Sequence, residues 1–173
     1  MKRYHHEDVY PLPVDAMYAL FTDRTFFEER YRLSGDLTEF VHFGTDGDRF
    51  RIDVRRHVQL KPGTQVPALA RRFVREKYVL HTRLDWDNRP GLATRTGNYR
   101  FEVEGVPVHV AGTMRLAPQG AGSSNHIDVT VDCSVPLVGG KIAEMVGERV
   151  GSTLGRDYQS TLAYLHQRGL IQA

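Results

Sequence analysis

The chain contains a single cysteine, Cys133, so it has no internal disulfide framework. Cys133 follows Ile127, Val129 and Val131 in the same alternating phase, which predicts a buried thiol that packs as a small apolar side chain. A thiol in such surroundings is a poor nucleophile. The lack of disulfides is typical of a reducing compartment, and the polar N-terminal stretch MKRYHHEDVY lacks the apolar segment of a signal peptide. We therefore expect a cytoplasmic protein.

Long hydrophobic runs and a strong excess of one charge are also missing. No stretch approaches the roughly 20 consecutive apolar residues that a membrane-spanning helix requires. The 23 basic and 21 acidic residues leave a net charge of +2, which is too small for a dedicated nucleic-acid-binding protein. The sequence therefore predicts neither an integral membrane contact nor a nucleic-acid partner.

The motifs of common catalytic and metal centres are absent from the sequence, which has no H-E-x-x-H, C-x-x-C or G-x-S-x-G. His5 and His6 are adjacent, so in a strand they point to opposite faces. His6, if it points inward, could act as an acid–base group beside Asp8. The outward phases of the predicted strands hold four more histidines: His57, His81, His109 and His126. No two histidines are predicted to share a face at metal-ligand spacing. We therefore expect neither a metal nor a cofactor, and the sequence identifies no catalytic residue.

What the sequence does contain is a long amphipathic segment near its end. From Leu137 to about Gly169 there is no proline, and apolar residues recur at steps of three or four. This pattern predicts a helix of about 45 Å, at ~1.5 Å per residue. The same face carries small residues at steps of four, Ala143, Gly147, Gly151 and Gly155. Because glycine within a helix costs about 0.5–1 kcal/mol relative to alanine, this stripe indicates either close backbone packing or space kept for a ligand.

The residues before this helix predict an antiparallel sheet. A first strand at Arg3–Val9 is followed by one or two short helices within Val14–Tyr31, with a break near Thr22 and Asp23. Period-two alternation then predicts six strands: Leu37–Phe43, Arg49–Leu60, Arg72–Asp87, Leu92–Val103, Val108–Leu116 and Asn125–Val135. Successive hairpins without crossovers form a meander, and the terminal helix is the one element long enough to cover its apolar face. The predicted fold is α+β, a single domain with a curved sheet wrapped around the C-terminal helix.

Two stretches carry a resemblance to a known superfamily. Tyr10–Asp23, in which a strand ends at a proline and a short helix runs to an aspartate, resembles the opening of the START-like (SRPBCC) helix-grip proteins. These include polyketide cyclases, birch-pollen-allergen-like proteins and lipid-transfer START domains. Val135–Ile142, which enters the last helix, is similar to an uncharacterised, largely actinobacterial and proteobacterial branch. The resemblance implies a hydrophobic cavity between helix and sheet, and it implies no particular activity, because such folds host many functions.

Strand alternation also predicts which side chains face the helix. Arg56 interrupts the apolar phase of its strand and Glu76 that of the next. If the two strands pair across the 61–71 connection, these charges lie side by side, either as a polar anchor for a ligand or as an edge pair that reaches solvent. Arg95 is a further inward charge, expected near the cavity mouth. The other predicted ligand-binding residues are Tyr78, Tyr99, Met114, Gly147, Gly151 and Tyr158.

The function that these features favour is non-catalytic binding of a small hydrophobic or amphipathic molecule, as a carrier or sensor. Arg56, Glu76 or a tyrosine hydroxyl would orient the ligand. One alternative is a cyclase, dehydratase or hydrolase of the polyketide-cyclase type, with Glu76 or a tyrosine as the acid–base group. Another is a protein-interaction module whose cavity is filled by its own side chains.

Overall fold

The computed structural model describes residues 1–35, 37–59, 68, 71 and 75–172. Within them the chain runs through one strand, two short helices, six further strands and a long helix. These elements are β1 (Lys2–Tyr10), α1 (Val14–Phe21), α2 (Arg24–Ser34), β2 (Leu37–Asp46), β3 (Arg49–Gln59), β4 (Lys77–Asp87), β5 (Arg95–Val103), β6 (Val108–Gln119), β7 (Gly122–Cys133) and α3 (Gly139–Gln167). The predicted α+β helix-grip class is confirmed. The predicted 61–71 connection and the predicted start of a strand at residues 72–74 lie outside the described residues, apart from positions 68 and 71.

The strands form an antiparallel sheet in the order β1-β7-β6-β5-β4-β3-β2. From β2 to β7 each strand pairs with the next one along the chain, as the alternation predicts. β1 instead pairs with β7, placing Lys2 opposite Val131 and Tyr10 opposite Ser123. Gly112 allows β6 and β7 to approach closely, because a Cβ at this position would overlap the carbonyl oxygen of Asp128. Close approach of this kind permits the bend that makes one face of the sheet concave.

The concave face is covered by all three helices. α3 packs on β1 and β7, while α1 contacts β6 and β7, and α2 contacts β2 and α3. The prediction that α3 alone covers the apolar face is therefore wrong. The reason is that α1 and α2 carry apolar faces of their own, and burying Met17 and Phe26 requires them to lie on the sheet.

The two short helices are held to the sheet by aromatic contacts. Phe21 stacks on Trp86 with 6.1 Å between ring centroids, and Phe27 meets Phe43 edge to face at 5.9 Å. Contacts of this kind add about 0.5–1.5 kcal/mol each beyond the apolar area that they bury. The predicted break between the helices is confirmed at Asp23, whose side chain accepts a hydrogen bond of 2.8 Å from the backbone N–H of Thr25 and caps α2.

The glycine stripe of α3 has two different environments. A Cβ at Gly147 would overlap the ring of Tyr4, so this glycine allows β1 and the helix to pack closely. A Cβ at Gly151 or Gly155 would meet no atom within 4 Å. Close packing and open space, the two interpretations of the stripe, therefore apply to different glycines. The expectation that Gly147 borders ligand space is wrong, because the Tyr4 ring occupies that position.

Alanine substitutions at two of these glycines should have opposite effects. We expect Gly147→Ala to lower the free energy of unfolding by about 1–3 kcal/mol, because the new methyl group forces the Tyr4 ring out of place. Gly151→Ala should leave it unchanged or raise it by up to about 1 kcal/mol, because the methyl group enters open space and alanine favours the helix. Chemical denaturation of both variants measures the difference. Adding Tyr4→Ala should recover much of the Gly147→Ala loss, and equal effects of the two alanines would contradict this assignment.

The outer face of the sheet contains a buried carboxylate. Asp53 is 4% exposed and accepts hydrogen bonds from the Arg83 guanidinium at 2.8 and 3.1 Å and from the His81 ring. Burial favours the neutral acid, but the hydrogen bonds and positive charge of Arg83 and His81 outweigh it and hold the pKa of Asp53 below its usual value. The ionised form is therefore the one that the folded protein stabilises.

The Asp53 carboxylate should make stability depend on pH. Because its pKa is lower in the folded than in the unfolded chain, its contribution is present above the unfolded pKa of about 3.9 and is lost as the pH falls through the folded pKa. We expect Asp53→Asn to lower the free energy of unfolding by about 1–3 kcal/mol at neutral pH and by progressively less below pH ~4. Denaturation across this pH range measures the effect, with the exposed Asp48→Asn as the matched control. A loss that stays constant with pH would refute the assignment.

Candidate functional site

The inward-facing side chains of β1 are polar. His6, Asp8 and Tyr10 alternate along the strand and therefore share its concave face. The His6 Nε2 lies 2.7 Å from Asp8 Oδ1, and the Tyr10 hydroxyl donates to Asp8 Oδ2 at 3.3 Å. Asp8 and Tyr10 are buried, at 5% and 3% exposure. β1 thus brings a connected imidazole, carboxyl and phenol to the interior.

Burial changes the protonation of this group. It raises the pKa of Asp8, an effect that His6 and Tyr10 partly oppose and the nearby charge of Asp157 increases. It also raises the pKa of Tyr10, and the Asp8 carboxylate raises it further. The Tyr10 hydroxyl is therefore held in its neutral, hydrogen-bond-donating form.

An arginine from α2 reaches the same region. The Arg30 guanidinium lies over the rings of Phe27, Phe26 and Tyr31, at 4.8, 5.2 and 5.5 Å from their centroids. Burial alone would lower the pKa of Arg30, but the negative charge of Asp157 in α3, together with Tyr31, which is hydrogen-bonded to Arg30, and Tyr10, outweighs it, so the pKa is raised. The buried Nε of Arg30 has no hydrogen-bond partner among the described residues. It is therefore a desolvated donor that an incoming acceptor would satisfy.

Two of the predicted site residues complete the group. The Arg56 guanidinium lies 4.8 Å from the centroid of the Tyr31 ring. Burial raises the pKa of Tyr99, as does the charge of Asp157, whereas Arg56 and Arg30 lower it. Five elements thus bring ionisable side chains into electrostatic contact beneath the helices. We call this set the interior polar cluster: Asp8, Tyr10, Arg30, Arg56, Tyr99 and Asp157.

Tyr158 lies beside this cluster, as predicted for an inward tyrosine of α3. Its ring meets Tyr10 edge to face at 5.5 Å. Its hydroxyl donates to the carbonyl oxygen of Val9 at 2.8 Å, which ties the helix to β1. The hydroxyl is therefore engaged in holding two elements together, while the ring borders the cluster.

The predicted pairing of Arg56 with Glu76 is wrong. β3 and β4 pair with Arg56 opposite Leu80, and the paired residues end with Gln59 opposite Lys77. Glu76 precedes the first paired residue of β4 and is exposed. The physical reason is that alternation fixes the face of a side chain but not the register, which here depends on the path of the connection. Arg56 itself keeps the predicted inward position, next to the Tyr31 ring.

The other predicted ligand-binding residues have local structural contacts. The Tyr78 hydroxyl accepts a hydrogen bond of 2.7 Å from the backbone N–H of Arg75. Arg95 is 8% exposed rather than at an open mouth, and its Nη1 donates to the carbonyl oxygens of Arg89 at 2.6 Å and Asp87 at 3.3 Å. It thus clamps the β4–β5 turn. Met114 is buried, with its Cε against Gly97.

Sequence reasoning missed Tyr10, Arg30 and Asp157 as site residues, and it considered Asp8 only as the neighbour of His6, which does point inward. The signal was present in each case. Asp8 and Tyr10 share a phase with His6, and Arg30 lies four residues after the buried Phe26. Asp157 lies between two inward residues of α3, three after Leu154 and four before the buried Thr161. The helical spacing that identified the apolar face therefore included this carboxylate.

One prediction about the outer face is also wrong. His5 of β1 and His126 of β7 share that face, with ring centroids 5.9 Å apart. Alternation predicts an outward phase for His126 and leaves the phase of His5 open, and the two residues belong to the first and last strands along the chain. Their proximity follows from the β1–β7 pairing, which the local pattern does not specify.

Comparison with solved structures identifies proteins of the same shape. Zhui aromatase/cyclase from Streptomyces sp. R1128 is 16% identical, with a TM-score of 0.61 over 96% of this chain and 94% of that one. Ara h 8.0201 is 13% identical, with a TM-score of 0.58 over 96% and 98%. The protein TTHA0849 from Thermus thermophilus is 21% identical, with a TM-score of 0.57 over 94% and 99%. The chain therefore has the START-like (SRPBCC) helix-grip fold, as its sequence resemblance implied.

Two further observations concern sequence and membrane contact. A search of curated proteins finds no match to this chain. Among the described residues, none of the helices combines the length and hydropathy needed to cross a membrane.

A family model described as "Protein of unknown function (DUF2505)" matches residues 5–165. Because this match spans nearly the whole sequence, the chain belongs to the DUF2505 family.

Proposed function

We propose that this protein binds a small amphipathic molecule in an internal cavity between the sheet and α3. The apolar part of the ligand would lie against the sheet and helix, and its polar group would meet the interior polar cluster. The observation that carries the proposal is the buried Arg30, whose Nε donor has no partner among the described residues. A buried donor without an acceptor costs roughly 1–3 kcal/mol, and a ligand oxygen would remove that cost.

Two observations favour an open space beside the cluster. As whole residues, Arg30 and Tyr99 are only half-buried, so each keeps surface that a ligand could contact. Gly151 and Gly155 also indicate open space, since a Cβ at either position would meet no atom within 4 Å. A completely filled core, as in the protein-interaction alternative, would not leave these features.

The cluster suggests the polarity of the ligand. Two arginines and two aspartates nearly balance in charge, and the raised pKa values keep the Tyr10 and Tyr99 hydroxyls neutral. The site therefore offers several donors and two carboxylates rather than one dominant charge. It suits a molecule with hydroxyl, carbonyl or carboxylate oxygens on an otherwise apolar body. Burial of that body would contribute affinity at roughly 25 cal/mol per Å².

A second candidate function is acid–base catalysis of the type that the name of the Streptomyces aromatase/cyclase indicates for that protein. The observation that favours it is the His6–Asp8–Tyr10 chain, in which burial raises the pKa of the carboxyl group. A buried carboxyl group that is hydrogen-bonded to an imidazole can serve as an acid–base group. The predicted use of Glu76 in this role is less suitable, because Glu76 is exposed.

Ligand binding can be tested with protein expressed in cells. We expect native mass spectrometry to detect a co-purifying small molecule, and the delipidated protein to bind the amphipathic probe 1-anilinonaphthalene-8-sulfonate saturably. Gly151→Leu should weaken probe binding at least about tenfold without lowering the melting temperature, because leucine fills the open space. Arg30→Met should also weaken it, whereas Arg32→Met, at an exposed position of the same helix, should not. Unchanged binding in Gly151→Leu, or no saturable binding by wild type, would refute the proposal.

The catalytic candidate requires a separate measurement. A molecule extracted from the wild-type protein, or a mixture of polyketide-like aromatic precursors, would be incubated with wild type and with Asp8→Asn. If the protein is an enzyme, the compound should be converted only by wild type, while both proteins bind it. Dehydration would lower its mass by that of water, whereas cyclisation alone would leave the mass unchanged and alter the chromatographic retention time. Binding without either change would leave the carrier or sensor function.

A further inference from the structure

We propose that the outer face of the β1–β7 pair binds a divalent transition-metal ion, Zn²⁺ in the first instance, through His5, Glu7 and His126. His5 and Glu7 are two residues apart on β1, so they point to the same face, and Glu7 lies opposite His126 in the register. One ligand atom from each of the three side chains lies within 4.8 Å of the other two. This site is separate from the interior polar cluster, because His6 and Asp8 point to the other face.

The donor set suits zinc better than magnesium or calcium. Two imidazole nitrogens and one carboxylate oxygen are common zinc ligands, whereas the harder ions prefer oxygen alone. Tetrahedral Zn²⁺ with bonds of about 2.0–2.1 Å needs donors about 3.3 Å apart. The Glu7 Oε1 and His126 Nε2 are already 3.7 Å apart. The side chains of His5 and Glu7 are 56% and 42% exposed, so they can rotate and bring the donor atoms to the spacing that zinc needs.

Asp128 is suited to position one of the ligands. Its Oδ1 lies 2.9 Å from the His5 Nδ1, so a proton on Nδ1 is shared with this carboxylate and the Nε2 lone pair is left for a metal. A carboxylate bonded to the second nitrogen of a metal-binding histidine fixes its tautomer and raises its basicity. The Ser124 hydroxyl lies 3.1 Å from the His126 Nε2, so metal binding would break this contact.

Three protein ligands leave a coordination position open. His5, His126 and Asp128 also line an open groove on this face, with a volume of about 450 Å³, to which Arg49 and Arg115 contribute. A cation with an exchangeable position beside two guanidinium groups suits an anionic oxygen ligand. Bound metal would also connect β1 to β7, so it would stabilise the pairing of this edge strand with the rest of the sheet.

The test is calorimetric titration of the full, tag-free chain with ZnCl₂ near neutral pH. We expect one ion per chain, and a rise in melting temperature with zinc. His126→Ala and Glu7→Gln should each weaken binding at least about tenfold, and Asp128→Asn should weaken it less than either because it acts through His5. His57→Ala, which removes an exposed histidine from β3, is the matched control and should change nothing.

NMR of the wild-type imidazole groups provides a measurement that needs no variant. Zinc should shift the His5 and His126 signals together and leave His57 and His109 unmoved. If binding is absent at sub-millimolar zinc, survives His126→Ala, or shifts His57 as much as His5, the proposal is overturned. The His126–Glu7 contact would then be a surface ion pair, which contributes little to stability.

Discussion

The pairing of β1 with β7 is the constraint on which both candidate sites depend. These strands come from opposite ends of the sequence, and their register puts Tyr10 opposite Ser123 and Glu7 opposite His126. With that register, His6, Asp8 and Tyr10 face the helices, while His5 and Glu7 face outward. A slip by one residue would exchange the two sets, because side chains alternate with a period of two. One nine-residue strand therefore supplies polar groups to both faces of the sheet.

The interior polar cluster is not explained by stability. Burying Arg30 has a desolvation cost that the negative charge of Asp157 helps to offset, but apolar side chains of similar volume often serve a core as well or better. The hydrogen bonds of Asp8 with His6 and Tyr10 satisfy part of the group, but the Arg30 Nε stays without an acceptor among the described residues. The proposed binding of a polar ligand group would use these side chains, because a ligand oxygen would supply the acceptor that the Arg30 Nε lacks.

Periodicity was enough to predict the order of elements, the long helix within two residues at each end, and the inward positions of Arg56 and Tyr99. Register was not predictable. Arg56 and Glu76 both interrupt apolar phases, which predicts that they pair, but alternation does not specify which residues of β3 and β4 lie opposite each other. The spacing of small residues along the helix likewise predicts the same environment for Gly147 and Gly151. Their environments differ because the Tyr4 ring packs against Gly147 and no atom lies close to Gly151. Contacts between distant segments, including His5 with His126, follow from pairing that local patterns do not contain.

Contacts outside the two proposed sites also support the β1–β7 register. Three such contacts lie near the end of β1. The Tyr158 hydroxyl donates to Val9, the Ser123 Oγ donates to the Leu12 carbonyl oxygen at 2.8 Å, and Gly122 leaves no room for a Cβ beside the Tyr10 carbonyl group. Two of these contacts act on the backbone of β1, and the third acts on the backbone two residues after it. Because none of them uses the side chains of His5, His6, Glu7 or Asp8, those side chains remain available to the two proposed sites, and a short strand can hold two sets of polar groups.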